Sequence, residues 1–283
     1  MGGRLFYALR SIWREPSNRG QRLRRIFTFA GWQFWKRFVG RPLEARLANG
    51  LLVRVWPDCD TSPAALYYAI PNSPAISFLR KHLDGGTLID VGANVGLVSL
   101  LLADKVEHAI LFEPNPKVIE RAQYNLLLNR LPFEVVPLAL SDESGTIEFE
   151  NADTEMSCNR VVDGFATSKA TIRVRRTSFD QFLREHRGDM PRICAVKIDV
   201  EGHENSVLRG MKGFLQEQRP RLVMFEYLGR TDIQQALALF REVQYRVFEL
   251  GPEGPRLATE SVTPLQDLFA CPEESAGDFH IQA

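Results

Sequence analysis

The sequence predicts a doubly wound α/β fold of Rossmann-like type, a mostly parallel sheet with an N-terminal helical appendage. Three observations carry that expectation. Apolar runs at residues 87–91, 109–112, 134–140, 194–198 and 221–227 alternate with helical patterns, as parallel strands joined by right-handed crossovers do. The first run ends at a glycine-rich turn that opens a helix. The 283 residues, 45% of them hydrophobic, suffice for one large core with an appendage. The expected division is a basic helical segment over residues 1–45 and an α/β domain over 46–283.

Residues 3–14 put Leu5, Phe6, Leu9, Ile12 and Trp13 on one helical face, and Pro16 ends that helix. In residues 22–38, Leu23, Phe27, Ala30, Phe34 and Phe38 share a stripe while Phe29, Trp32 and Trp35 point elsewhere. Residues 46–56 alternate as one strand, and a Pro-punctuated stretch leads to a helix near 76–82. After the first two core strands come helices near 97–102 and 116–129. Residues 143–150 and the segment from 170 read as two further strands, the latter running into a short helix. Residues 151–169 are polar and aperiodic, an expected excursion near the site. A helix over 205–215 follows the fourth core strand. A helix over 233–243 and a strand over 245–250 are expected to complete the sheet.

The formal net charge is zero, yet residues 1–41 hold ten Arg or Lys against one acid, Glu15. The arm is therefore strongly basic and the remainder acidic. Cys59, Cys158, Cys194 and Cys271 are widely spaced with no Cys-x-x-Cys pair, so neither a zinc cluster nor a disulfide framework is indicated, and a reducing, cytosolic setting is the expectation. No apolar run approaches a membrane span, and no continuous apolar leader with a small-residue cleavage site opens the chain.

The turn after the first core strand reads Asp90-x-Gly92-x-Asn94-x-Gly96. Such a turn lets backbone N–H groups approach a ligand closely. An acid at its entrance repels a pyrophosphate, so this is neither the dinucleotide fingerprint nor a phosphate loop; Asp90 suits a ligand bearing an amine or sulfonium. Glu113 ends the second strand, 17 residues beyond Gly96, where an acid accepts from both ribose hydroxyls of a nucleoside. Ribose, ammonium and sulfonium together describe S-adenosyl-L-methionine as the expected cofactor. Asp142, after the third strand, is then expected to accept from the adenine amino group. Each feature also has a plainer reading as tight packing or a helix cap.

The segments IDVGANVGLVSLLLA, FEPNP, LALSDESGTIEF and VKIDVEGHENSVLRGM, in this order over about residues 88–227, resemble the FkbM family of S-adenosylmethionine-dependent methyltransferases. The resemblance implies a class I methyltransferase fold and O-methylation of sugar hydroxyls or secondary-metabolite alcohols. It does not extend over residues 1–50.

Methyl transfer from a sulfonium is an in-line displacement that gains from positioning the acceptor oxygen and from a group that takes its proton. The fourth strand end supplies Lys197, Asp199, Glu201 and His203, and Glu226 ends the fifth. Strand ends are where open α/β sheets bind ligands. Asp199 is the first choice for orienting the acceptor. His203 is the natural general base, or a helix-start residue; Glu204 is a candidate for the same acid–base set or a first-turn acid, and Lys197 a catalytic group or a structural partner of Asp199. Asp199, Glu201 and Glu226 also suit Mg²⁺, although no spacing demands a metal.

Three partners are weighed for the basic arm. It can lie on an anionic membrane, pack on the catalytic domain, or form a dimer contact. Nucleic-acid methylation ranks low, since no recognised binding module is present and the base-methylase turn is absent. The expected acceptor is a small molecule or glycan. The rival reading from another class is a noncatalytic nucleoside-binding scaffold; strand-end acids argue against it.

Overall fold

The computed structural model describes residues 2–150, 161, 170–186, 191–229 and 231–282. Helices α1 (Gly2–Arg14) and α2 (Arg22–Phe38) precede a hairpin, β1 (Leu43–Arg46) and β2 (Leu52–Val55), and helices α3 (Ala64–Tyr67) and α4 (Ser73–His82). The expected single strand over 46–56 is thus the second arm of a hairpin, Leu43 pairing with Val55, because residues 47–51 turn the chain back.

The central sheet then begins. β3 (Thr87–Val91), α5 (Leu97–Leu102), β4 (His108–Phe112), α6 (Pro116–Leu128) and β5 (Glu134–Val136) form one half. Short strands β6 (Ala139–Leu140), β7 (Gly145–Glu150) and β8 (Thr171–Thr177) make a separate three-stranded sheet before α7 (Phe179–Glu185). β9 (Ile193–Ile198), α8 (Glu204–Gly210), α9 (Lys212–Gln218), β10 (Leu222–Tyr227), α10 (Ile233–Glu242), β11 (Tyr245–Gly251), β12 (Gly254–Leu257) and β13 (Gln266–Pro272) complete the chain's strands and helices. The expected helix over 205–215 is two helices that meet at Met211.

Eight strands lie in the order β12-β11-β13-β10-β9-β3-β4-β5. β3, β4, β5, β9 and β10 run parallel, and β13 inserts antiparallel between β10 and β11. This is the doubly wound, mostly parallel sheet that the alternating pattern predicts. Two of its strands, β12 and β13, were not foreseen: β13 carries only four consecutive apolar residues, 268–271, among polar neighbours and prolines.

Every residue of β3 and β9 is buried, since helices cover both faces of a parallel sheet, which is why these strands read as continuous apolar runs. One face packs Phe78, Phe248, Phe269 and Phe279 edge and face together. The other packs Phe112, Phe179, Phe182 and Phe214. The starts of α6 and α7 are fixed by side-chain caps: Asn115 accepts from Lys117 N and Ser178 from Gln181 N.

The strand order reverses between β3 and β9, since the first half runs outward from β3 to one edge and the second from β9 to the other. Loops leaving adjacent strands in opposite directions open a crevice there. Among the described residues, no helix is long and apolar enough to cross a membrane.

Candidate active site

A cavity of about 310 Å³ opens at this reversal, over the carboxyl ends of β3, β4, β9 and β10. Gly92, Ala93 and Asn94 of the glycine turn line it. Gly92 and Gly96 have φ of 71° and 77°, in the left-handed region. A Cβ on Gly92 would collide with the Asp199 carbonyl oxygen, so glycine there lets the loops after β3 and β9 touch. Asn94 also has a positive φ, 51°, and its side chain accepts from Val95 N, a local bond that helps asparagine tolerate this conformation.

Glu113 lines the cavity from the end of β4 and is 6% exposed. Its two carboxylate oxygens each accept one backbone N–H, from Asn94 at 3.0 Å and Asn115 at 2.9 Å. The acid expected to read a ribose is therefore aimed by the same turn that lines the cavity. Burial pushes its carboxyl up to about 7, against the lowering by those two N–H bonds.

Asp90 lies beneath the cavity rather than in its wall. It is fully buried; Oδ2 accepts from Ser99 Oγ at 2.7 Å, and Oδ1 lies 3.2 Å from Lys197 Nζ. The cation that Asp90 meets here is this chain's own Lys197. That ammonium also donates to Gly92 O at 2.8 Å and lies 3.5 Å from Asp199 Oδ2. Burial disfavours the charged lysine, but Asp90 and Asp199 outweigh it and raise its pKa. Lys197 thus ties the ends of β3 and β9 together and presents Asp199, whose side chain is 42% exposed, to the cavity.

Asp199, Glu201 and Glu226 bring carboxylate oxygens within 4.8 Å of one another. Burial, followed by the charges of Asp199 and Glu201, raises Glu226 to about 9, so the cluster holds a proton at neutral pH. Two further participants were not foreseen. Asp267 on β13 pairs in register with Glu226 and accepts from Asn72 at 2.7 Å; burial raises it to about 6. Its strand was missed, and Asn72 sits in the aperiodic stretch before α4. Thr61, Ala64, Tyr68 and Pro71 from that Pro-punctuated stretch also line the cavity. The expected excursion near the site, residues 151–169, lies outside the described residues except for Val161, which lines the cavity.

His203 lines the cavity, 7% exposed, with Nε2 3.0 Å from Ser141 Oγ. Glu204 is fully buried and structural: it accepts from Val200 N, Gly202 N and Thr231 Oγ1. It holds the turn on which Glu201 sits in a left-handed conformation, φ 56°. Asp142 is turned away from the cavity, where Leu138, Ala139 and Leu140 form that wall. Its Oδ2 accepts from Arg209 at 2.9 and 3.0 Å. Partial burial opposes its ionisation, but Arg209 holds its carboxyl below the usual range. The adenine contact expected of Asp142 would compete with this Arg209 ion pair.

Residues 90–247 match the family model described as Methyltransferase FkbM domain. Hexuronic acid methyltransferase AglP of Haloferax volcanii is 34% identical over 140 residues, 49% of this chain and 55% of that protein. Methyltransferase sdnD of Sordaria araneosa is 28% identical over 51% of this chain and 64% of its own length. The matched part thus spans less than two thirds of either relative. Among solved structures, the precorrin-6y C5,15-methyltransferase of Geobacter metallireducens covers 71% of this chain and 87% of its own at 14% identity and a TM-score of 0.43. The tRNA (uracil-54, C5)-methyltransferase of Pyrococcus abyssi, in complex with S-adenosyl-L-homocysteine, covers 81% and 43% at 14% identity and the same TM-score.

Proposed function

This chain belongs to the FkbM methyltransferase family, and on that premise we propose that it transfers the methyl group of S-adenosyl-L-methionine to a sugar hydroxyl of a glycan, glycolipid or related small molecule. The observation that carries this reading is that a nucleoside-type acid, Glu113, and the acid cluster of Asp199, Glu201 and Glu226 line one cavity. A scaffold that only held a nucleoside has no use for the second group.

Glu113 would accept from the cofactor's ribose hydroxyls, and Gly92 and Asn94 would lie against the cofactor, with Gly96 packing the turn from behind. Its cationic end faces the acidic side of the cavity, with Asp90 acting through Lys197. The acceptor enters between Tyr68, Asn72 and the cluster. As the acceptor oxygen forms its bond to the methyl carbon, the carbon–sulfur bond breaks and neutral S-adenosylhomocysteine leaves. The hydroxyl proton passes to Asp199, the open carboxylate of the cluster. The proton that the cluster already holds keeps like-charge repulsion low. His203 is bonded to Ser141 and nearly buried, so we assign it to positioning rather than to the proton transfer. Residues 1–45 are read as an appendage to the domain at 46–283, and the protein as cytoplasmic; its three described cysteines are free.

The acceptor class to try first follows the AglP relative: glycans bearing a hexuronic acid. Incubated with labelled cofactor, the protein is expected to add one methyl group to such a glycan, read by mass spectrometry. Binding of the cofactor without transfer to any glycan or alcohol acceptor would favour the scaffold. Running the assay under exhaustive chelation separates two uses of the cluster: unchanged transfer fits the shared proton, and loss restored by Mg²⁺ assigns Asp199, Glu201 and Glu226 to a cation.

A further inference from the structure

The apolar stripe of α2 faces outward. Leu23, Phe27, Phe34 and Phe38 are 64%, 73%, 62% and 71% exposed, and Ala30 between them is exposed as well. The residues off the stripe do the packing: Phe29 and Trp32 are buried, Phe29 edge-on to Tyr67. This inverts the usual arrangement of a surface helix, whose main apolar stripe covers the core. Four large side chains in line, with Phe6, Tyr7 and Trp13 of α1 also exposed, form more apolar surface than scattered residues do.

The charge around this surface selects its partner. Residues 1–41 carry ten Arg or Lys and one acid, and Arg10, Arg14, Arg19, Arg24 and Arg37 are exposed. A second copy would bring the same basic helices face to face, since a two-fold contact pairs a surface with itself. An anionic bilayer complements both properties, drawing the arginines to its headgroups and receiving the aromatic rings at the acyl boundary.

We propose that the α1–α2 arm is a peripheral docking surface for anionic membranes, with Leu23, Phe27, Phe34 and Phe38 as the inserted stripe.

The arm is also bonded to the wall of the cavity. Asn18, fully buried, donates to Tyr67 O at 3.0 Å and accepts from Ala69 N at 2.9 Å. Ser11 Oγ meets Tyr68 OH at 2.9 Å, Ser17 Oγ accepts from Ile70 N, and Arg25 donates to Leu66 O. Because Ala64, Tyr68 and Pro71 line the cavity, the docking surface and the acceptor wall are joined by these bonds. A lipid-carried acceptor is the kind of substrate such a junction serves.

The test is vesicle co-sedimentation of the full chain, which reads no methyl transfer and so stands or falls apart from the proposed activity. Pelleting is expected with phosphatidylcholine–phosphatidylglycerol vesicles, not with phosphatidylcholine alone, and is expected to weaken as salt rises. The Phe27→Ser/Phe34→Ser/Phe38→Ser variant is expected to lose about tenfold or more of the bound fraction, with unchanged thermal unfolding. Arg24→Glu/Arg37→Glu is expected to weaken binding independently, which keeps the test open if the serine variant misfolds. The proposal is overturned if the wild type ignores anionic vesicles, if both variants pellet like it, or if the wild type instead forms a dimer that the serine substitutions dissolve.

Discussion

Replacing Asp199 with Asn is expected to lower kcat for methyl transfer by about 10²–10⁴-fold, the usual contribution of a positioned acid–base group. The substitution keeps the side chain's shape and the backbone contact with Gly92, so the glycine turn is preserved. It removes the carboxylate that Lys197 presents, 3.5 Å from its Nζ, to the open side of the cluster. Burial still holds Glu226 above the usual carboxylate range in this variant, although losing the Asp199 charge lets it fall, so it is a poorer proton acceptor than the open Asp199. Cofactor affinity should change by less than about tenfold, since the ribose contact lies at Glu113. A variant that keeps more than about a tenth of the wild-type kcat would remove Asp199 from the chemistry and return the proton to His203 or Glu201.

Replacing Lys197 with Met is expected to destabilise the fold by about 3–5 kcal/mol, the cost of breaking a buried ion pair from one side. Asp90 is fully buried with Ser99 and Lys197 as its side-chain partners, so losing the ammonium leaves a carboxylate without its counter-ion. Lys197 is itself 3% exposed, and water does not take its place cheaply. The double variant Asp90→Asn/Lys197→Met should recover part of the loss, because a neutral amide costs less to bury than a lone charge. Urea unfolding without cofactor measures this directly; a loss below about 1 kcal/mol would mean that the pair behaves as an exposed one and that Lys197 serves the cavity rather than the fold.

Much of this architecture was legible because parallel strands with both faces covered must be apolar throughout, and β3, β4, β9 and β10 read that way. Glu113 was legible for a related reason: an acid that directly follows such a strand interrupts the pattern where ligands bind. β13 left no comparable trace. Its pairing between β10 and β11 is non-local, its apolar run is four residues long, and the acid it sets beside Glu226, Asp267, lies outside that run. The ion pair of Asp142 was not legible, because a strand-end position says nothing about a competing arginine from another helix, here Arg209. Periodicity in α2 identified the stripe correctly but could not say which side the core would cover. Phe29 and Trp32, only two residues, anchor the helix against α3 and its neighbours and leave the richer face outward.

The central claim is that the cavity binds S-adenosylmethionine through its ribose at Glu113. Calorimetric titration of the cofactor into the wild type and Glu113→Ala, at pH 8 and pH 6, tests it most directly. With the Glu113 carboxyl near 7 in the free protein, the ionised form that accepts from ribose hydroxyls predominates at pH 8 and is the minor form at pH 6. Wild-type affinity is therefore expected to be about tenfold tighter at the higher pH, and Glu113→Ala to bind about 100-fold more weakly at pH 8, the loss of charge-assisted hydrogen bonds, with its pH dependence largely gone. A folded wild type that does not bind the cofactor, or a Glu113→Ala variant that binds as tightly as the wild type, would contradict the account.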